Sequence, residues 1–152
     1  MMKIILFTFL IFLTSCGFKP IYSQGTVNNY YFKEIKLIGN KTINQKLMNT
    51  GMLIEDANIQ NDKKLIIESK LIILETSKNL EGLVETYRSI IDTTFTYMEN
   101  EKIVKKKSFN KSFSYPNKTN RFELLEYQNS VEKNLTAEIL KDIVIFLNKD
   151  DN

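Results

Sequence analysis

From Lys63 to Tyr115 the chain alternates between two sets of side chains, broken only around Ser77–Gly82 and Glu99–Glu101. A period of two sustained over such lengths predicts extended strands, and breaks this short leave room only for antiparallel hairpins. In Lys63–Glu75, Leu65, Ile67, Leu71 and Ile73 share one face while Ile66, Ile72 and Leu74 share the other, which predicts a central strand covered on both sides. Leu83–Met98 sets Tyr87, Ile91, Phe95 and Tyr97 against a face of Thr, Arg88 and Asp92. Fully extended it reaches about 50 Å, so this hairpin is either tall or bent by a bulge near Ile90–Ile91. Lys102–Tyr115 returns with Ile103, Phe109, Phe113 and Tyr115 in phase. Such an aromatic stripe reads first as core beneath a helix, and second as a surface for a protein or an acyl chain.

The flanks supply the covering layer. Pro116 ends the sheet, and Asn120 with Glu123 has the pattern of an N-terminal cap. From Arg121 to about Asn148, Val131, Leu135, Ile139, Ile143 and Phe146 recur at helical spacing, flanked by Leu140, Val144 and Leu147. Upstream, Tyr30–Ile38 reads as a strand and Gly39-Asn40 as its break. Thr42 with Gln45 resembles a capping box for a short helix to about Thr50, with Gly51 as terminator. The order is β-α-β-β-β-α. The expected fold class is α+β, a four-stranded, mainly antiparallel sheet with both helices on one face. It occupies a single domain, 30–148, between a tether, 16–29, and a polar tail, 149–152.

Residues 1–15 stand apart. Lys3 precedes the apolar run Ile4–Leu13, in which Thr8 is the only exception, and Ser15 leads into Cys16, the only cysteine of the chain. Ten helical residues span about 15 Å, half of a hydrocarbon core of about 30 Å. The run therefore reads as an export signal. Small residues before a lone cysteine mark a lipoprotein site: the Cys16 thiol takes a diacylglyceryl group, and cleavage after Ser15 frees its amine for a third chain. An ordinary secretory signal would leave an unpaired thiol in an oxidising compartment. Two or more chains hold a protein on a bilayer where one does not. Gly17, in place of an aspartate, favours transfer onward to the outer membrane, on its periplasmic side, in bacteria that sort by this position.

Loss of 15 residues from 152 leaves 137, and loss of Lys3 leaves 20 basic side chains against 18 acidic ones. That balance argues against a nucleic-acid partner. The absence of histidine removes Ser-His-Asp and Cys-His arrangements and most zinc sites. The glycines at 17, 25, 39, 51 and 82 are too scattered for a phosphate-cradling loop. Glu123 with Glu126 and Glu138 with Asp142 are carboxylate pairs at the spacing of an exposed helix face. No acid or base is marked out for catalysis, no cofactor and no metal is implied, and the expectation is a protein that is not an enzyme.

Binding candidates are cationic. Lys105-Lys106-Lys107 falls inside a strand, where alternation sends Lys105 and Lys107 to one face and Lys106 to the other. These lysines suit anionic groups such as glycolipid phosphates, or serve an edge strand by discouraging unwanted pairing. Of the 21 basic residues only Arg88 and Arg121 are arginine. Arg88 could grip a phosphate through two N–H groups, although a cross-strand pair with an acid is the plainer expectation.

Cys16-Gly17-Phe18-Lys19-Pro20-Ile21-Tyr22 resembles the start of the mature lipopolysaccharide-assembly lipoproteins (the LptE family), many of which read Cys-Gly-Phe, a variable residue, then Pro-Leu-Tyr. Ile21 replaces the commoner leucine. The likeness continues in the element order and in the long C-terminal helix with its apolar end, Ile139–Leu147. The resemblance implies an outer-membrane lipoprotein that plugs a large β-barrel, assists its assembly and supports delivery of lipopolysaccharide to the cell surface. Its implied partners are that barrel and lipopolysaccharide, and only Cys16 carries over as a family position. Rival readings are a lipid-anchored subunit of another envelope lipid transporter and a cell-wall-acting enzyme or inhibitor.

Overall fold

The computed structural model describes residues 29–60 and 62–148. The signal segment 1–15, the lipidation site Cys16, tether positions 17–28 and the tail 149–152 lie outside the described residues. The elements are β1 (Tyr30–Phe32), β2 (Glu34–Gly39), α1 (Lys41–Met48), β3 (Leu53–Glu55), β4 (Lys63–Lys78), β5 (Val84–Glu99), β6 (Lys102–Pro116) and α2 (Arg121–Asn148). The main sheet has the order β2-β4-β5-β6. Hairpin turns make β4, β5 and β6 antiparallel, whereas β2 lies parallel to β4 because the chain crosses back through α1 between them. This is the expected α+β fold.

Both helices cover one face of the sheet. In register across it lie Ile67 with Phe95, Ser69 with Thr93 and Phe109, and Leu71 with Ile91. α2 buries Val131, Leu135, Ile139 and Ile143 against β5 and β6, and α1 buries Ile43 and Leu47 against β2 and β4. Burial of each such side chain stabilises by about 1.5–3 kcal/mol relative to exposure. Phe95 meets Phe109 edge-on at 6.2 Å between ring centres, and Phe109 meets Phe146 likewise at 6.0 Å. Two polar contacts fix α1 in this layer. Buried Asn44 donates to the Ile38 carbonyl at 3.0 Å and accepts from the Ser69 hydroxyl at 2.7 Å. Lys46 of α1 reaches Glu132 of α2 at 2.7 Å, where the glutamate side chain is only 10 % exposed. Lys46→Met leaves that carboxylate largely desolvated and unpaired, so a loss of about 1–2 kcal/mol is expected. Urea denaturation checks it, and a smaller loss in Lys46→Met, Glu132→Gln than in the single variant identifies the stranded charge as the cause.

Several local expectations are corrected. The first strand is divided at Lys33 into β1 and β2. β1 pairs with β3 in a small parallel sheet, Tyr30 beside Leu53 and Phe32 beside Glu55. The cap of α1 is Asn40, whose side-chain oxygen accepts from the Ile43 N–H at 3.0 Å, so the helix begins at Lys41, one residue before the expected cap Thr42. β4 is central but is covered on one side only: Leu65 and Ile67 are buried, Ile66 and Ile72 are half-buried on the open face, and Leu74 is exposed there. The tall hairpin is unbent at Ile90–Ile91, which pair regularly with Ile72 and Leu71. Its irregularities fall at the two ends, around Ser77 and between Tyr97 and Met98.

The second irregularity reassigns a residue. Tyr97 pairs with Lys105 and Met98 with Ile103, which leaves Val104 as an extra residue in β6. One additional residue inverts the alternation, so Ile103 leaves the aromatic face, where it was expected. It is 60 % exposed, and Val104 is 50 % exposed. The adjoining turn places Asn100 and Glu101 at φ 51° and 62°, the left-handed pair that suits the twist of a two-residue hairpin.

Candidate functional site

The hairpin gives the molecule two ends. β4 and β5 are each 16 residues long, about 50 Å of strand. At one end, which we term proximal, lie the β5–β6 turn, the C-terminus of α2 and the start of the described body at Asn29–Tyr30. Tyr30 donates its hydroxyl to Asn148, Phe32 meets Tyr97 edge-on, and the Lys33 N–H bonds the Lys63 carbonyl at 2.7 Å. At the distal end the Asn79 side chain accepts from Glu81 N–H and Leu83 N–H, holding a turn from which Leu80 projects fully into solvent.

The structure separates the cationic candidates. Lys105 and Lys107 pair with Tyr97 and Phe95 on the helix-covered face, and Lys106 pairs with Thr96 on the open face, as alternation required. β6 is the sheet edge, the position in which lysines discourage strand addition. Lys107 lies over the rings of Phe109 at 5.2 Å and Phe146 at 5.6 Å, and Lys105 over Phe146 at 6.0 Å. Arg88 shares the open face with Lys106 but pairs opposite Ser114, about 26 Å away along the strands. Its cross-strand partner is the Ser114 hydroxyl, which accepts from Nε at 2.9 Å, and not an acid. Arg88 and the lysines therefore do not form one site.

Two shallow clefts flank the lysines. One, about 370 Å³, runs between β6 and α2 and is lined by Lys107, Phe109, Lys111, Asp142 and Ile145. Lys111 and Asp142 pair at 2.8 Å, and hydrogen bonding to that carboxylate holds the ammonium above its ordinary pKa. Asp142 is thus taken up by a lysine on the sheet, a pairing hidden from helical spacing because the partner lies across the layer. The other cleft, about 360 Å³, is lined by Tyr30, Phe32, Lys63, Tyr97, Lys105 and Leu147. Burial raises the Tyr97 phenol, and Glu99 adds to the shift. A phenol raised in the folded state contributes stability that is complete below the unfolded value near 10 and is lost as pH rises through the folded one. Tyr97→Phe is therefore expected to lose less stability than the parent between pH 8 and pH 11. Urea midpoints at both pH values check this, the raised Lys64 and Lys111 acting equally in both chains. Among the described residues no group of three or more His, Cys, Asp or Glu is placed to hold a metal, and no helix is long and apolar enough to cross a membrane.

This architecture, a tall antiparallel meander joined by one parallel strand and backed by two helices, is that of solved bacterial lipoproteins. Rare lipoprotein B from Shewanella oneidensis superposes with a TM-score of 0.58 at 10 % identity, over 76 % of this chain and 94 % of that one. Lipoprotein B from Nitrosomonas europaea gives 0.56 at 14 % identity over 86 % and 92 %. A minor lipoprotein from Acinetobacter baumannii gives 0.52 at 14 % identity over 74 % and 87 %. At such identities the likeness is one of fold. No protein-family model and no curated protein matches the sequence.

Proposed function

We propose that this chain is a lipid-anchored outer-membrane lipoprotein that acts without catalysis, as the plug and assembly partner of a β-barrel lipopolysaccharide translocon. One coincidence carries the reading: the segment Cys16–Tyr22, which resembles the start of the lipopolysaccharide-assembly lipoproteins, precedes a body with the fold of solved bacterial lipoproteins. The first is read from residue identities and the second from backbone fold at 10 % and 14 % identity, so neither restates the other.

The geometry supports a plug in a physical sense. A body about 50 Å tall can reach along a barrel lumen. Its open sheet face is bridged by polar cross-strand pairs, Thr94 with Ser108 at 2.8 Å and Arg88 with Ser114 at 2.9 Å, and by Asn110 with Asp92. Polar groups satisfied within the sheet need no partner from the wall, so that face tolerates a wet lumen. Depletion of the protein is expected to lower both mature barrel and surface lipopolysaccharide. A gentle-detergent purification of the native chain, with mass spectrometry of what accompanies it, checks the partner. Recovery of inner-membrane or periplasmic transporter components in place of a barrel points to another envelope lipid transporter, and activity or inhibition on purified peptidoglycan to a cell-wall function.

A further inference from the structure

The bulge at Val104 creates a surface that the plug reading does not use. It turns Ile103 and Val104 outward together, each at least half exposed, inside the run Lys102-Ile103-Val104-Lys105-Lys106-Lys107. Apolar side chains interleaved with lysines are the composition of an interfacial contact with anionic lipid: the aliphatic groups enter the boundary between headgroups and acyl chains while the ammonium groups meet phosphate. The acids nearby are already engaged. Asp62 pairs with Lys33 at 3.2 Å, Glu34 and Glu101 both pair with Lys64, and Glu99 accepts from the Tyr97 hydroxyl at 3.4 Å. Lys102, Lys106 and Lys107 have no ion-pair partner among the described residues.

Position supplies the second argument. This run sits at the proximal end, beside Tyr30, where the polypeptide leading from Cys16 joins the body. The 13 residues Cys16–Asn28 span at most about 45 Å, so an acyl anchor keeps this end near a bilayer without holding it in contact. Contact requires a surface of the body itself.

We propose that in the free lipoprotein, before a barrel receives it, the proximal end, through Lys102–Lys107, docks on the anionic phospholipid surface in which the acyl anchor sits, and so stands the hairpin upright with Leu80 farthest from the membrane. The inference rests on the lipid anchor of the proposed function but not on the identity of the barrel. Acylation of Cys16 leaves the chain without a free thiol, so Val104→Cys and, separately, Leu80→Cys can each carry a single environment-sensitive fluorophore. The mature acylated protein is placed in vesicles of phosphatidylcholine alone or mixed with phosphatidylglycerol.

A blue-shifted emission is expected at position 104 in the anionic vesicles, absent in the neutral ones, abolished by high salt and lost in Lys105→Gln, Lys106→Gln, Lys107→Gln. Position 80 is expected to stay at its aqueous emission throughout. Equal emission at 104 in both vesicles, a shift at 80 in place of 104, or a shift produced by lipopolysaccharide but not by phosphatidylglycerol overturns the proposal. Should Cys16 itself take the label, the anchor reading fails, and flotation of the unlabelled chain with anionic vesicles then reads the surface directly, with no flotation counting against it. A barrel that co-purifies while 104 stays unshifted separates failure of this contact from failure of the plug reading.

Discussion

With serine in place of Cys16, the chain is expected to keep its first 15 residues, incorporate no labelled palmitate and leave the membrane fraction. A serine hydroxyl does not take the diacylglyceryl group, and cleavage of a lipoprotein signal follows acylation. The effect is close to all-or-none, because each buried methylene contributes about 0.8 kcal/mol to membrane retention and every chain is lost together. Intact-mass measurement of the purified native protein and of Cys16→Ser reads the outcome. A native polypeptide that retains Met1 and a free thiol, or a Cys16→Ser protein still held on the membrane and functional, means there is no lipid anchor.

Gly39→Ala is expected to destabilise the body by on the order of 3 kcal/mol, from left-handed backbone strain of about 1–2 kcal/mol and overpacking of similar size. Gly39 lies at φ 88°, and a Cβ there would stand 2.0 Å from the Ser69 carbonyl oxygen of the paired strand. That oxygen cannot retreat freely, because it accepts from the Asn40 N–H at 2.8 Å just where the chain turns from β2 into α1. Gly82 provides the control. It has φ 81° and no atom within 4 Å of its would-be Cβ, so Gly82→Ala should lose only the backbone part, about 1 kcal/mol. Urea midpoints of the two variants separate the terms, and equal losses would show that the close approach to Ser69 has no energetic weight.

Much of this architecture was legible in the sequence because long elements repeat their signal. Leu83–Met98 and Arg121–Asn148 each contain several periods of one pattern, and both stand within a residue of the expected bounds. β3, at three residues, contains too little of any period to be seen; β1 was read as the start of one strand with β2, and its separate pairing depends on where α1 sets down Leu53. Ile103 shows the opposite failure. Its alternation with Phe109 and Phe113 was genuine, but one inserted residue reverses every face beyond it, and nothing in Lys102–Lys107 marks Val104 as the insertion. Asn40 was read as a strand break when it also caps, because Thr42 and Gln45 offered a more familiar spacing two residues later.

The candidate site was legible as chemistry and not as arrangement. Alternation placed Lys105 and Lys107 opposite Lys106, yet could not bring Phe146 under the first two or set Arg88 far along the strands. Asp142 was read with Glu138 as part of an exposed carboxylate pair, and only the meeting of helix and edge strand gives it Lys111. Spacing within one element describes that element; contacts between layers follow from how the elements are laid down.

The parallel pairing of β2 with β4 has a kinetic consequence. β4, β5 and β6 join across tight turns and can zip together soon after collapse, whereas Glu34 must find Lys64 across an intervening helix and a short strand. A chain delivered N-terminus first exposes β2 before its partner exists. The last event of folding is therefore expected to be the docking of the segment that leads to the anchor, so mutations in β2 or α1 should accelerate unfolding while leaving the refolding rate nearly unchanged.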